Sequence, residues 1–177
     1  MILINSFILI LLFFNPDNEL VSANLYPQNK LSNEDRILAI KVHNQARSEV
    51  GVKDIKWSET LSLDALKWAK HLADKNKMFH SNLDKRKDQG ENLYSSYGYN
   101  SQTPGKDASK AWYDEKKDYK YSKIANDKNF YKTGHYTQMI WKETTEFGMA
   151  KATSENGTIY VVARYSPPGN YIGLYPY

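Results

Sequence analysis

Cysteine is absent from this 177-residue chain. No disulfide can staple it and no thiolate can serve as nucleophile or metal ligand, so the fold must stand on packed side chains. At this length one domain can bury such a core. Short hydrolase signatures are missing too: there is no His-Glu-x-x-His helix and no Gly-x-Ser-x-Gly elbow. Nucleic acid is not expected as a partner, since no recognition motif for it occurs. Histidine is scarce, limited to His43, His71, His80 and His135, and any imidazole site must draw on these. Long apolar runs are lacking as well. The longest, Ile2 to Phe14, falls short of the roughly 20 residues a spanning helix needs. Polar residues and then the small Val21-Ser22-Ala23 follow it, so it reads as a secretory signal cut after Ala23, with one domain over residues 24–177. The leader has no Lys or Arg ahead of its apolar run, which keeps a signal anchor as the alternative. Residue two is Ile2, so the glycine required for N-myristoylation is missing.

Charge is the feature present in excess. The chain carries 24 Lys and Arg against 20 Asp and Glu, a net of +4. Loss of Met1 to Ala23 removes Asp17 and Glu19 and no base, raising the net to +6. Lysines gather at Lys75, Lys77, Lys85, Arg86 and Lys87, and again at Lys116, Lys117, Lys120, Lys123 and Lys128. Such surfaces suit an anionic membrane or acidic glycans; a solvated basic face is the plainer account.

Periodicity divides the domain into elements. Ser32 can cap a helix running to about Val50, its stripe formed by Leu38, Ala39, Val42, Ala46 and Val50, and Gly51 ends it. His43 at the border of that stripe reads as structural. Ser58 can cap a second helix with Leu61, Ala65, Ala69, Leu72 and Ala73 on one face, ending near Met78; His71, on the opposite side, reads as solvated. Glu91 to Ser95 is a short strand, and residues 94–105 form a loop carrying Tyr94, Tyr97 and Tyr99. Those tyrosines either pack over a sheet edge or form an aromatic lip around a ligand. A third helix from about Asp107 to Lys117 puts Ala108, Ala111, Trp112 and Glu115 on one face, and an ionised carboxylate on a buried stripe needs a partner. Residues 119–130 are irregular and basic. Thr133 can then cap a short helix that presents His135, with Met139 one turn on. Phe147 to Ala152 and Ile159 to Tyr165 form a hairpin joined at Asn156-Gly157, and Asn156-Gly157-Thr158 is also a glycosylation sequon at Asn156. The Pro- and Gly-bearing tail from Tyr165 to Tyr177 cannot be helical.

Three blocks in this order carry a resemblance: Gly90-Glu91-Asn92-Leu93, Gly134-His135-Tyr136-Thr137-Gln138-Met139-Ile140-Trp141, and the tail Tyr165-Ser166-Pro167-Pro168-Gly169-Asn170-Tyr171. Together with Trp112-Tyr113-Asp114-Glu115 they resemble the CAP superfamily of cysteine-rich secretory, antigen 5 and pathogenesis-related proteins, built on the SCP domain. The absent cysteines make the chain most similar to the Golgi-associated plant pathogenesis-related branch. The resemblance implies a three-layer α/β/α sandwich with a mixed, mostly antiparallel central sheet. It also implies a cleft where His80, Glu91, Glu115 and His135 converge as the family's tetrad.

Two neutral imidazoles can ligate zinc or a similar divalent ion, while the carboxylates either join them as ligands or hold the imidazole tautomers from behind. Binding should fail as acid protonates the rings. The expected function is a secreted binding or effector module that takes a divalent metal, with sterol or fatty acid as a lipid ligand near the tyrosine loop. A host or receptor protein is a further partner implied by the family, and a homodimer is known in the Golgi-associated branch. The alternative is a metal-dependent hydrolase using Glu91 or Glu115 as base. No catalytic residue is assigned, and without a known signature the balance leans away from an enzyme.

Overall fold

The computed structural model describes residues 30–128 and 130–177; the expected signal segment, Met1 to Ala23, lies outside the described residues. Eight elements organise the rest: α1 (Asn33–Ser48), β1 (Lys56–Trp57), α2 (Glu59–Lys75), β2 (Gly90–Ser96), α3 (Pro104–Asp114), α4 (Phe130–Met139), β3 (Glu146–Thr153) and β4 (Ile159–Ser166). Tight turns follow at Leu83–Lys85 and Glu115–Asp118. Among the described residues no helix is long and apolar enough to cross a membrane.

The sheet runs in the order β1-β3-β4-β2, with β1 parallel to β3 and the other pairs antiparallel. Its two central strands are apolar on both faces, which obliges both faces to be covered. Val161, Ala163 and Tyr165 join Phe147 and Met149 in a core with Ala39, Ala46, Ala108, Trp112 and Tyr136. The alternate residues Tyr160, Val162, Ala150 and Ala152 meet Ala65, Ala69, Leu72 and Leu93. One layer is thus α2, the other α1, α3 and α4, and the mixed three-layer sandwich follows. Gly148 is where α2 comes closest, since a Cβ there would run into the backbone N of Ser62 and O of Ser58.

Local signals placed the helices whose caps are local. Ser32 accepts the Asp35 N–H at 3.1 Å and Ser58 accepts the Leu61 N–H at 3.5 Å. Helix α2 stops at Lys75, short of Met78, because Asn76 takes the left-handed cap conformation at φ 46°. Helix α3 starts at Pro104, ahead of Asp107, because its cap comes from another element: the buried Asp35 carboxylate accepts the Gly105 and Lys106 N–H groups at 2.9 and 2.8 Å. Its buried face carries Ser109 with Ala108 and Trp112, and Ala111 is exposed. Thr133 lies inside α4; that helix begins at Phe130, whose N–H donates to Asp127 Oδ1 at 3.1 Å. His71 is half-buried, stacked on Trp68 and edge-on to Phe79.

His43 sits deeper than the edge of a stripe. It is fully buried and stacked on Phe147 with ring centroids 4.1 Å apart. Its Nδ1–H donates to the Ala39 carbonyl at 2.9 Å, which leaves Nε2 to accept the Tyr165 hydroxyl at 2.9 Å. This neutral tautomer is structural. Burial, opposed by the Ala39 hydrogen bond and reinforced by Arg47, pushes His43 down from 6.5 to about 4. Between those values the unfolded chain binds more protons, so stability is complete above pH 6.5 and falls as pH drops toward 4. The full shift corresponds to about 3 kcal/mol. Urea unfolding of His43→Gln from pH 7 to pH 4 is expected to show a shallower loss than the parent protein; equal slopes would exclude His43 as the source.

Candidate metal-binding cleft

Strand β2 is an edge strand, paired only with β4. Alternation sends neighbouring side chains to opposite layers. Glu91 and Leu93 point to the α2 side, opposite Arg164 and Val162 of β4, while Asn92 points to the α4 side. Each layer contributes one histidine.

On the α2 side the Glu91 side chain has no exposed surface, and its oxygens are saturated. Oε1 accepts His80 Nδ1–H at 2.7 Å and the Ser81 N–H at 2.9 Å. Oε2 accepts the Ser81 hydroxyl at 2.8 Å and pairs with Arg164 Nη2 at 3.0 Å. Burial alone would raise the carboxyl pKa, but His80, Arg164 and Ser81 together outweigh it and hold it below the ordinary glutamate range. On the α4 side, Glu115 accepts His135 Nδ1–H on Oε1 at 2.6 Å and the His135 and Tyr136 N–H groups on Oε2, each at 3.0 Å. The His135 ring stacks on Trp112 at 5.9 Å, and Asn92 donates to the His135 carbonyl at 3.1 Å.

Both rings line one cleft of about 460 Å³, with Arg86, Phe130, Tyr131, Gln138 and Pro168 among its walls. Each Nδ1 is tied to a carboxylate, so among the described residues each Nε2 is the ring nitrogen left over, the arrangement a metal-ligating histidine requires. Each carboxylate holds its histidine through Nδ1, and among the described residues no group of three or more His, Asp or Glu is placed to hold a metal ion jointly. The blocks read from the sequence interlock around this cleft. A Cβ on Gly90 would run into Gln138 Oε1, which itself accepts the Gly169 N–H at 2.9 Å. Asn170 donates to the Gly134 carbonyl at 2.8 Å and accepts the Thr137 hydroxyl at 2.7 Å.

The sequence model described as "CAP: Cysteine-rich secretory protein family" matches residues 40–165. This chain belongs to the CAP family. It is 37% identical over 134 residues to human Golgi-associated plant pathogenesis-related protein 1, covering 75% of this chain and 82% of the relative. Identity to pathogenesis-related protein 1 of Arabidopsis thaliana is 38% over 138 residues, covering 78% and 80%. A crystal structure of NaASP2 with Zn2+ superposes with a TM-score of 0.73 at 29% identity, covering 85% of this chain and 88% of that one. The structure of BmVAL-1 follows at 0.72 and 27%, covering 85% of each.

The four residues implied by the resemblance form two histidine–carboxylate dyads, His80 with Glu91 and His135 with Glu115; His80, Glu91 and His135 line the cleft and Glu115 does not. The tyrosines do not join them. Tyr94 is half-buried against the core, while Tyr97 and Tyr99 are 74% and 62% exposed beyond the far end of β2. The strand has seven residues from Gly90 to Ser96, so its two ends lie about 20 Å apart at the rise of an extended chain. Asn156 caps the hairpin turn, accepting from Ser154 and Thr158 through Oδ1, also away from the cleft. Sequence reading did not single out Ser81, Asn92 or Arg164. A signal existed for the last, since it is the one charge in the otherwise apolar run from Ile159 to Tyr165.

Proposed function

We propose that this CAP domain is a binding module whose cleft takes a divalent metal ion, zinc, on His80 Nε2 and His135 Nε2. One observation carries the reading: both Nδ1 atoms donate to carboxylates, so each ring turns its Nε2 toward the cleft in a fixed orientation. A relative crystallised with Zn2+ lends support. Bound zinc would act as a Lewis acid and hold a ligand atom beside the rings. Two protein donors are one fewer than the three of typical catalytic zinc, so a further donor must come from ligand or solvent.

A hydrolase would need a general base, and the carboxylates are poorly placed for that. Glu91 has no exposed side-chain surface and Glu115 stands behind His135. Binding is therefore preferred to turnover. A sterol or fatty acid held at Tyr94, Tyr97 and Tyr99 would be a separate site, unaffected by chelation. Secretion is proposed from the leader pattern of Met1 to Ala23 together with a family described as secretory; the Golgi-associated human relative is a reminder that branches differ.

Isothermal titration of chelator-treated protein with zinc is the test. The His80→Ala, His135→Ala double variant is expected to bind about 100-fold more weakly than the parent. Equal affinity in the two would remove the metal from these residues.

A further inference from the structure

The walls a ligand would touch in this cleft are short of free anions. Glu91 is in the lining, but its side chain has no exposed surface and its oxygens are already engaged, and Glu115 is not part of the lining. A cation does face the space. Arg86 lines the cleft with His80 and is immobilised from two directions. Its Nε donates to the Ser81 carbonyl at 3.1 Å and its Nη1 to the Gln89 carbonyl at 3.3 Å. The turn it spans is closed by its own backbone, with the Arg86 N–H on the Leu83 carbonyl and the Gln89 N–H on the Arg86 carbonyl. Ser81 is in turn fixed by Glu91.

A flexible surface arginine loses rotamer freedom when it grips a ligand; this one is ordered beforehand, which lowers the cost of binding an anion. Beside it the lining turns apolar, with Phe130, Tyr131 and Pro168. The Phe130 ring lies over Gly134, 3.3 Å from where a Cβ would be, so the glycine seats it; Tyr131 is 76% exposed.

We infer that the cleft accepts a ligand bearing a carboxylate next to a flat apolar group, with the carboxylate on Arg86 and the apolar part against Phe130 and Tyr131. A single guanidinium matches a monoanion; a phosphate dianion would call for more positive charge than the cleft wall supplies. The inference rests on the proposed reading in taking this cleft as the working site, and the carboxylate would provide the further donor that two imidazoles leave open.

The test is an NMR titration of the protein, chelator-treated and zinc-loaded, with benzoate, benzyl alcohol and inorganic phosphate as probes. Benzoate is expected to shift the amide signals of Arg86, His80 and Tyr131 saturably, with benzyl alcohol and phosphate each at least about fivefold weaker. Arg86→Gln should weaken benzoate about fivefold, and Tyr131→Ser, a change at an exposed position, about threefold. Benzyl alcohol binding as well as benzoate would overturn the inference, as would a folded Arg86→Gln protein within twofold of the parent. Should Arg86→Gln disturb its turn, the benzoate and benzyl alcohol comparison and Tyr131→Ser still decide. Absence of zinc binding with Arg86-dependent benzoate binding would sink only the metal reading; zinc binding with benzoate indifferent to Arg86 would sink only this one.

Discussion

Arg47→Ala is expected to cost about 3–5 kcal/mol of unfolding free energy, measured by urea titration at neutral pH. The guanidinium is essentially inaccessible and is held by carbonyls. Nε donates to Lys53 at 2.6 Å, Nη1 to Met139 at 3.0 Å and Trp141 at 2.9 Å, and Nη2 to Thr144 at 2.8 Å. These carbonyls belong to the loop after α1, the end of α4 and the connection into β3. Met139 closes α4, where the negative end of the helix dipole favours a cation. Burial pushes Arg47 down to about 10, with Asp54 and Tyr165 opposing, so the group remains charged at neutral pH. Truncation would leave these carbonyls without the donor that satisfies them. Arg47→Lys should fall between parent and alanine, because an ammonium lacks the planar fork that serves separated acceptors. The damage should also reach the cleft, since α4 presents His135. A loss below 1 kcal/mol in Arg47→Ala would mean that these carbonyls find other partners and that the estimate above is wrong.

Arg47 also illustrates what could be read in advance and what could not. The sequence shows it one turn from His43 on a helix whose apolar stripe was legible, yet three of its four carbonyl partners lie 92 to 97 residues away. Caps followed the same division. Ser32 and Ser58 act within three residues and were readable, whereas Asp35 capping α3 across 70 residues was not, and the start of α3 was misplaced accordingly. Ala111 was assigned to a buried stripe by period alone, whereas the buried face of α3 runs through Ala108, Ser109 and Trp112. The strands were legible because β3 and β4 are apolar at nearly every position, the pattern of a sheet covered on both faces. Tetrad residues came through the resemblance of the blocks around them; nothing in their spacing, 11 residues from His80 to Glu91 and 20 from Glu115 to His135, suggests a pair. Arg164 beneath Glu91 depends on the register of β2 against β4, which no local pattern encodes.

That register leads to the second large effect: Glu91→Leu is expected to destabilise the fold by about 3–5 kcal/mol, and Glu91→Leu with Arg164→Leu to recover at least about half of it. Arg164 is buried, and its Nε and Nη1 already lack a partner among the described residues, so the pair with Glu91 is what compensates its charge. Removing the carboxylate alone strands that charge in a low-dielectric site. Burial is the main influence lowering the Arg164 pKa; Glu91 opposes it most and Asp64 to a smaller extent, while the nearby Arg86 adds to it. Removing both partners trades an ion pair for apolar packing and leaves only the Ser81 donors and the half-exposed His80 without their acceptor. The acid limb of stability should change with it. A glutamate held below its ordinary 4.5 contributes stability that is complete above that pH and is lost as the pH falls through the lower folded value. The parent should therefore weaken more steeply below pH 4.5 than the double variant, a window that begins where that of His43 is nearly spent. Zinc affinity separates the two roles of Glu91. The stability of the double variant returns while His80 remains unoriented, so its affinity should stay about 10- to 100-fold below the parent. Urea titrations of the parent, both single variants and the double variant supply the coupling energy. Strict additivity, with the double variant as unstable as the sum of the singles, would show that Glu91 stabilises the fold through His80 and Ser81 and not through Arg164.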